Sequence, residues 1–138
     1  MRDLTNLYLS IAEQIAAESR AERLKVGALI VFDDNIVAYG YNGTPSGFEN
    51  ECEVKNEWGE TVTKPEVLHA ESNAIAKCAR SVHSSEGATL YTTHSPCFDC
   101  CKLIIQAGIV RVIYLENYRV SEGLELLTKA GVDHYKHT

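Results

Sequence analysis

The sequence predicts one α/β domain over residues 1–138, with three α/β/α layers and a five-stranded mixed sheet that carries helices on both faces. Two observations predict this fold. After an opening hairpin, strands alternate with helices in the order α-β-β-α-β-α-β-α-β, and such alternation is typical of layered α/β proteins. The length of 138 residues, 45% of them hydrophobic and 23% charged, suits a single globular domain with its own core.

Each element is predicted from its apolar pattern and from the residues that end it. Apolar residues at helical spacing follow the cap residue Asp3 and predict a first helix with one buried face. β-branched runs on both sides of Asp33-Asp34-Asn35 predict a hairpin. Gly108 and Gly131 are typical helix ends, because glycine readily adopts the left-handed conformation. The remaining predictions are strands at 26–32, 36–41, 88–92, 110–115 and 132–135, helices at 70–81, 97–108 and 122–130, and a loop from 42 to 65.

Composition and charge limit the kinds of partner that the chain can bind and indicate where it resides. Lys and Arg number 13 and Asp and Glu 19, which gives a net charge of −6. We expect neither nucleic acid nor a membrane surface as a partner, because the chain is acidic and has no basic run. No segment approaches the ~20 apolar residues that span a bilayer, and early polar residues argue against a signal peptide. Five cysteines, three of them clustered, are untypical of a secreted disulfide framework, so we expect a reducing, cytoplasmic location.

Two short motifs carry the chemistry: His69-Ala70-Glu71 at the start of the second helix, and Pro96-Cys97-Phe98-Asp99-Cys100 at the start of the third. Cys97 and Cys100 are three positions apart, so both sulfurs project from one helix face. The first turn of a helix also stabilises thiolates. Two thiolates and the His69 imidazole supply three zinc ligands and leave the fourth position to water, which is typical of a catalytic zinc site.

Glu71 completes this pattern. A bound zinc ion lowers the pKa of water to about 7. Glu71 lies two residues from His69 and can relay protons between that water and a substrate nitrogen. The arrangement H-x-E…P-C-x-x-C is the signature of zinc-dependent nucleobase deaminases.

Other interpretations of the cysteines stay open at this point. Cys97 and Cys100 also fit a redox pair, although such a pair needs no H-x-E partner. A closed structural zinc site would recruit Cys101 or Cys52 as the fourth ligand, but Cys101 points about 100° away from Cys100 on a helix. His94 lies beside the motif and has no assigned role.

Over nearly its whole length the sequence resembles the deoxycytidylate (dCMP) deaminases of the cytidine deaminase superfamily. Besides the two zinc motifs, the carrying segments are Val26-Gly27-Ala28, Gly40-Tyr41-Asn42-Gly43-Thr44-Pro45-Ser46-Gly47 and Tyr114-Leu115-Glu116-Asn117-Tyr118-Arg119. The segment from Gly40 to Gly47 narrows the resemblance from the superfamily to the dCMP deaminases. The resemblance implies a cytidine deaminase-like fold and the hydrolysis of dCMP to dUMP and ammonia by a zinc-bound hydroxide. It assigns zinc to His69, Cys97 and Cys100, and the proton shuttle to Glu71.

The resemblance also implies the substrate contacts. Asn42 would contact the deoxyribose, Tyr118 lies where family members approach the substrate, and the backbone near Ala70 and Ser95 would hold the edge of the cytosine. The 5′-phosphate needs cations or N–H donors, and our candidates are Arg23 and Lys25, just before the first strand. The alternative is that both lie on a solvated helix end.

Assembly and regulation follow from the same resemblance. It implies a homohexamer that dCTP activates and dTTP inhibits, with Mg²⁺ on the triphosphate. We assign Arg80, Gly43 and Gly47 to the regulatory or subunit-contact surface, with an exposed helix-end arginine as the alternative for Arg80.

We predict one zinc ion per chain, because Cys52 stands in the long loop without evident partners. Lys77 occupies a helix position where the family pattern calls for an apolar residue.

Three other functions are alternatives to dCMP deamination. A tRNA adenosine deaminase shares the zinc motif but must hold a polyanion, which a net charge of −6 disfavours. A free-nucleoside cytidine deaminase needs no phosphate site. A catalytically silent zinc-binding module has no use for Glu71 or for an open coordination position.

Overall fold

A computed structural model of the chain describes residues 3–118 and 121–138. Four helices and seven strands lie in these residues. In chain order they are α1 (Thr5–Ala16), β1 (Gly27–Phe32), β2 (Asn35–Tyr41), β3 (Glu53–Lys55), β4 (Thr61–Thr63), α2 (Ala70–Ala79), β5 (Thr89–His94), α3 (Phe98–Gln106), β6 (Arg111–Glu116), α4 (Glu122–Lys129) and β7 (Asp133–Lys136).

Five of the strands form one mixed sheet in the order β2-β1-β5-β6-β7. β1 pairs antiparallel with β2 and with β5, whereas β5, β6 and β7 are parallel. The carboxyl ends of the parallel strands therefore meet at one edge of the sheet, where ligand sites of α/β proteins lie. The predicted five-stranded mixed sheet is confirmed.

Helices cover both faces of the sheet, which confirms the predicted layers. Side chains alternate along each strand. Leu29 and Val31 pack with Tyr8 and Leu9 of α1 on one face. Alternate residues of the same strands face α2, α3 and α4 on the other, in a cluster that includes Ala28, Ile30, Leu90, Val112, Ala74, Ile104 and Leu127.

Two glycines bring helices unusually close to the sheet. A Cβ atom on Gly27 would lie 2.1 Å from the Ala12 carbonyl oxygen of α1. A Cβ atom on Gly40 would lie 2.5 Å from the Ala74 backbone nitrogen and 2.6 Å from the Ala70 carbonyl oxygen of α2. The first turns of α2 thus rest directly on the backbone of β2.

The prediction of an unbroken loop from 42 to 65 is wrong. Strands β3 and β4 form a two-stranded hairpin inside it, apart from the main sheet. Each strand has only three residues and the central Val54 is 49% exposed, so the apolar alternation is too short to be recognised. The Cys52 carbonyl also accepts a hydrogen bond from the Lys64 N–H at 2.8 Å, which closes the base of the hairpin.

The other predicted elements agree with the structure to within a few residues at their ends. The N-cap of α1 is Leu4 rather than the predicted Asp3, although the Asp3 carboxylate accepts a hydrogen bond from the Thr5 N–H at 3.0 Å. Gly108 and Gly131 have φ values of +79° and +78° after α3 and α4. In the part of the chain that the structure describes, no helix has both the length and the apolar character needed to cross a membrane.

Candidate active site

The site is built from two helix starts. His69 occupies the residue before α2 and Cys97 the residue before α3, and both have extended backbones with ψ values of 157° and 171°. Cys100 follows in the first turn of α3. Both helices present their free N–H groups here, and these stabilise negative charge on the thiols and on Glu71.

His69, Cys97 and Cys100 come together as one cluster. The His69 Nδ1 atom lies 3.3 Å from Cys97 Sγ and 3.4 Å from Cys100 Sγ, and all three donor atoms lie within 4.8 Å of one another. Two thiolates and an imidazole are a donor set that suits zinc. Cys101 turns away, with its thiol 3.7 Å from the Pro96 carbonyl oxygen.

The Cys97 and Cys100 pair favours one negative charge, which resides on Cys97. A hydrogen bond from the Cys100 thiol, with a further contribution from His69, lowers the pKa of Cys97 to about 4. The same hydrogen bond raises the pKa of Cys100 above its ordinary value. Loss of both protons therefore requires a cation between the two sulfurs, a charge that a zinc ion would supply.

Glu71 lies buried beside this cluster. It is 4% exposed and stands in the first turn of α2. Burial raises the pKa of its carboxyl group to about 7. At neutral pH such a group exchanges its proton readily in both directions, as a general acid and base must.

A cavity of about 450 Å³ opens from these residues. His69, Glu71 and Cys97 line it, whereas Cys100 is buried behind them. The structure places five of the predicted substrate-binding residues in the cavity wall, namely Asn42, Ala70, Ser95, Tyr118 and Arg23. Lys25 is exposed and is not among the residues that line the cavity.

Asn42 has a structural role beside the predicted one. Its Oδ1 atom accepts a hydrogen bond from the Val26 N–H at 2.9 Å, and its Nδ2 group donates to the Leu24 carbonyl at 2.7 Å. The side chain therefore fixes the segment before β1. One N–H of its amide group remains for a ligand.

Arg23 is held by the hairpin of β3 and β4. Its Nη1 group donates to Thr63 Oγ1 at 3.3 Å. The Glu53 carboxylate accepts hydrogen bonds from the backbone N–H groups of Glu22 and Arg23, at 3.0 and 3.2 Å. β3 and β4 thus form a wall of the cavity, to which Cys52, Glu53 and Thr63 contribute.

The residues assigned to regulation are not part of the cavity lining among the described residues. Arg80 caps the C-terminal end of α2, opposite His69. Gly43 forms an isolated β-bridge with Leu68, and Gly47 has a φ of +93°. None of the three lines the cavity in the described residues. Arg119, the last residue of the final resembling segment, lies outside the described residues.

Lys77, which departs from the family pattern, has aromatic neighbours. Its Nζ atom lies 4.2 Å from the centre of the Tyr39 ring and 5.5 Å from that of Tyr41. Contacts between a cation and an aromatic face are favourable. They account for a lysine at a position where an apolar residue is expected.

Comparison with known proteins shows the family of the chain. The family described as "Cytidine and deoxycytidylate deaminase zinc-binding region" matches residues 3–116. The deoxycytidylate deaminase of Enterobacteria phage T4 is 33% identical over 164 residues, covering 91% of this chain and 85% of its own. That of Mus musculus is 39% identical over 143 residues, covering 95% and 78%.

A solved structure resembles the chain along its whole length. The dCMP deaminase of cyanophage S-TIM5, in complex with dCMP and dUMP, is 45% identical, covers 99% of each chain and superposes with a TM-score of 0.92. The chain therefore belongs to the cytidine and deoxycytidylate deaminase family.

Proposed function

We propose that the chain is a zinc-dependent enzyme that hydrolyses dCMP to dUMP and ammonia. The observation that carries this proposal is the placement of the zinc-ligand cluster, the buried Glu71 and Arg23 around one cavity. The cavity is of a size that holds a small ligand. The similarity to the cyanophage dCMP deaminase supports the choice of substrate.

The residues that would hold zinc are His69, through Nδ1, Cys97 and Cys100. When bound, zinc acts as a Lewis acid that makes water nucleophilic near neutral pH. Glu71 takes one proton from the attacking water and passes it to N3 of the pyrimidine, and it then passes the second proton of that water, released as the C4 carbonyl forms, to the amino group that leaves as ammonia. A carboxyl group with a pKa of about 7 suits both transfers.

The cavity walls orient the nucleotide for this attack. The backbone of Ala70 and Ser95 holds the edge of the cytosine, and the free N–H of Asn42 donates to the deoxyribose. Arg23 binds the 5′-phosphate, for which a guanidinium group is well suited. Holding base, sugar and phosphate together presents C4 to the nucleophile.

The proposal extends to regulation and assembly, for which the support is the family resemblance. Residues 1–138 form one deaminase domain, six copies assemble, dCTP activates and dTTP inhibits, and Mg²⁺ accompanies the triphosphate. Arg80, Gly43 and Gly47 belong to the regulatory surface. Five free cysteines support a reducing, cytoplasmic setting.

The test is ammonia release from dCMP, with deoxycytidine at the same concentration beside it. Turnover of dCMP well above that of deoxycytidine supports the proposal and makes dCTP and dTTP the next additions. Equal turnover of both favours a nucleoside deaminase. A zinc-loaded protein that turns over neither would refute the proposed activity.

A further inference from the structure

His94 stands at the wall of the same cavity and has no part in the function proposed above. It is the last residue of β5, three positions before Cys97, and its ring is partly buried. The Thr92 hydroxyl donates a hydrogen bond to the His94 carbonyl at 3.1 Å. The residue is therefore fixed by the strand that carries it.

A chain of hydrogen bonds behind the ring determines its tautomer. The Gly27 N–H donates to Thr93 Oγ1 at 3.2 Å, and Thr93 Oγ1 lies 2.9 Å from His94 Nδ1. Thr93 is 5% exposed, and the structure gives its hydroxyl only these two partners among the described residues.

A backbone N–H can only donate, so Thr93 is the acceptor from Gly27. Its own hydrogen is left for the His94 ring, because a buried hydroxyl hydrogen without an acceptor is costly. His94 Nδ1 then accepts, and in the neutral ring the proton resides on Nε2. Burial lowers the pKa of His94 below its ordinary value, which keeps the ring neutral at pH 7.

The position of the ring indicates which part of a nucleotide it meets. Its Nδ1 side is tied through Thr93 to Gly27, at the start of β1. The adjoining Val26 lines the cavity together with Asn42 and Arg23. Asn42 and Arg23 are the residues that the proposed function assigns to the sugar and the phosphate, so the tie between the ring and Gly27 favours these parts of the nucleotide as its partner.

We propose that His94 is a substrate-binding residue whose Nε2–H donates a hydrogen bond to an oxygen of the sugar or phosphate of the bound nucleotide. This inference rests on the proposed function for its ligand. The tautomer itself follows from the protein alone. Thr93 is then the positioning residue that fixes the direction of the donor.

The tautomer is tested by long-range ¹H–¹⁵N correlation spectra of the zinc-loaded enzyme labelled with ¹⁵N. The signals that H94Q lacks identify the ring of His94. We expect a protonated Nε2 and an unprotonated Nδ1 at pH 7. Protonation at Nδ1, or at both nitrogens, would overturn the proposal.

The donor is tested by comparing H94Q with H94N. Glutamine places an amide N–H near the position of Nε2, whereas asparagine reproduces only the acceptor that faces Thr93. We expect kcat/KM for dCMP to fall about tenfold in H94N, the equivalent of one hydrogen bond, and to stay within about threefold in H94Q. Equal losses in both variants, or no loss in either, would contradict the assignment.

A comparison of dCMP with deoxycytidine shows whether the oxygen that accepts from His94 belongs to the sugar or to the phosphate. A penalty in H94N that is the same for dCMP and deoxycytidine assigns the bond to the sugar, and a penalty confined to dCMP assigns it to the phosphate. If the wild-type enzyme turns over no dCMP, the proposed activity fails, while the tautomer is still measured. The dissociation constants of dCMP from H94N and H94Q, measured by calorimetry, then decide the role of His94.

Discussion

The Ser95 hydroxyl oxygen accepts a hydrogen bond from the Tyr118 backbone N–H at 2.6 Å. The bond joins the segment after β5 to the segment after β6, and the Ser95 N–H to Glu116 carbonyl bond at 2.9 Å reinforces it. Tyr118 lines the cavity. The side chain of Ser95 thus positions one wall of the site, whereas the resemblance draws attention only to its backbone.

Ser95→Ala removes this acceptor and releases the Tyr118 segment. We expect kcat/KM for dCMP to fall roughly 3- to 10-fold, because a neutral hydrogen bond contributes about 0.5–1.5 kcal/mol. Steady-state kinetics measure the change. Ser85→Ala is the matched control: its hydroxyl donates to the Ala107 carbonyl at 2.7 Å away from the cavity, so it should leave kcat/KM unaltered. Wild-type kinetics in S95A would refute the positioning role.

Glu71→Gln removes the proton shuttle and keeps the size of the side chain. We expect kcat to fall by about 10²- to 10⁴-fold, the usual contribution of general acid–base catalysis. Zinc content should stay at the wild-type level, because Glu71 lies outside the ligand cluster. The exposed Glu60→Gln provides the control. An E71Q enzyme that retains full activity would favour a zinc-binding module in which this glutamate has no chemical task.

Zinc content tests the ligand assignment without reference to activity. We expect one zinc ion per chain by elemental analysis, and a large loss of zinc in Cys100→Ser, because one of the three ligands disappears. Removing the metal with a chelator should lower the melting temperature, since zinc binds the folded chain preferentially. Cys101→Ala should keep its zinc, because Cys101 faces the Pro96 carbonyl. Wild-type zinc content in C100S would show that the ligand set is different.

Arg23→Gln tests the phosphate contact. A charge-assisted hydrogen bond contributes about 1.5–3 kcal/mol, so we expect kcat/KM for dCMP to fall roughly 10- to 150-fold, while turnover of deoxycytidine stays unchanged. Lys25→Gln removes an equal charge two residues away but outside the cavity wall, and it should have little effect. A larger loss in K25Q than in R23Q would reverse the assignment.

The parts of the site that the sequence predicts are those within short motifs. His69, Glu71, Cys97 and Cys100 lie at helix starts, where spacing alone determines which side chains share a face. The sheet follows equally well from apolar periodicity and turn residues. Local patterns of this kind are present in the sequence itself, so they need no knowledge of distant contacts.

The contacts that the sequence does not predict join residues far apart in the chain. The Thr63 hydroxyl holds Arg23 across 40 residues, and the Glu53 carboxylate holds the Arg23 N–H across 30. Nothing in either segment indicates the other. Arg23 and Lys25 are equally good candidates for the phosphate contact in the sequence, because nothing near them shows which side chain the distant hairpin holds. In the structure Arg23 lines the cavity and Lys25 does not.

The contact of Gly40 with α2 gives a test that links the fold to the site. A methyl group at position 40 would lie 2.5 Å from the Ala74 nitrogen and 2.6 Å from the Ala70 carbonyl oxygen, both backbone atoms that cannot rotate away. Gly40→Ala should therefore lower the free energy of unfolding by about 1–3 kcal/mol, as overpacking does. Urea denaturation measures this change.

Gly43→Ala separates the clash from the general effect of replacing glycine. A glycine-to-alanine change also restricts the unfolded chain, which stabilises a protein by about 0.4–1 kcal/mol where the conformation permits it. A methyl group on Gly43 would lie 3.5 Å from Asn50 Oδ1, an ordinary contact, so G43A should match or slightly exceed the wild-type stability. Because G40A displaces the turn that follows His69, it should also bind zinc less tightly than G43A. Equal stability and zinc affinity in the two variants would show that the close contact of α2 with β2 does not position the metal ligands.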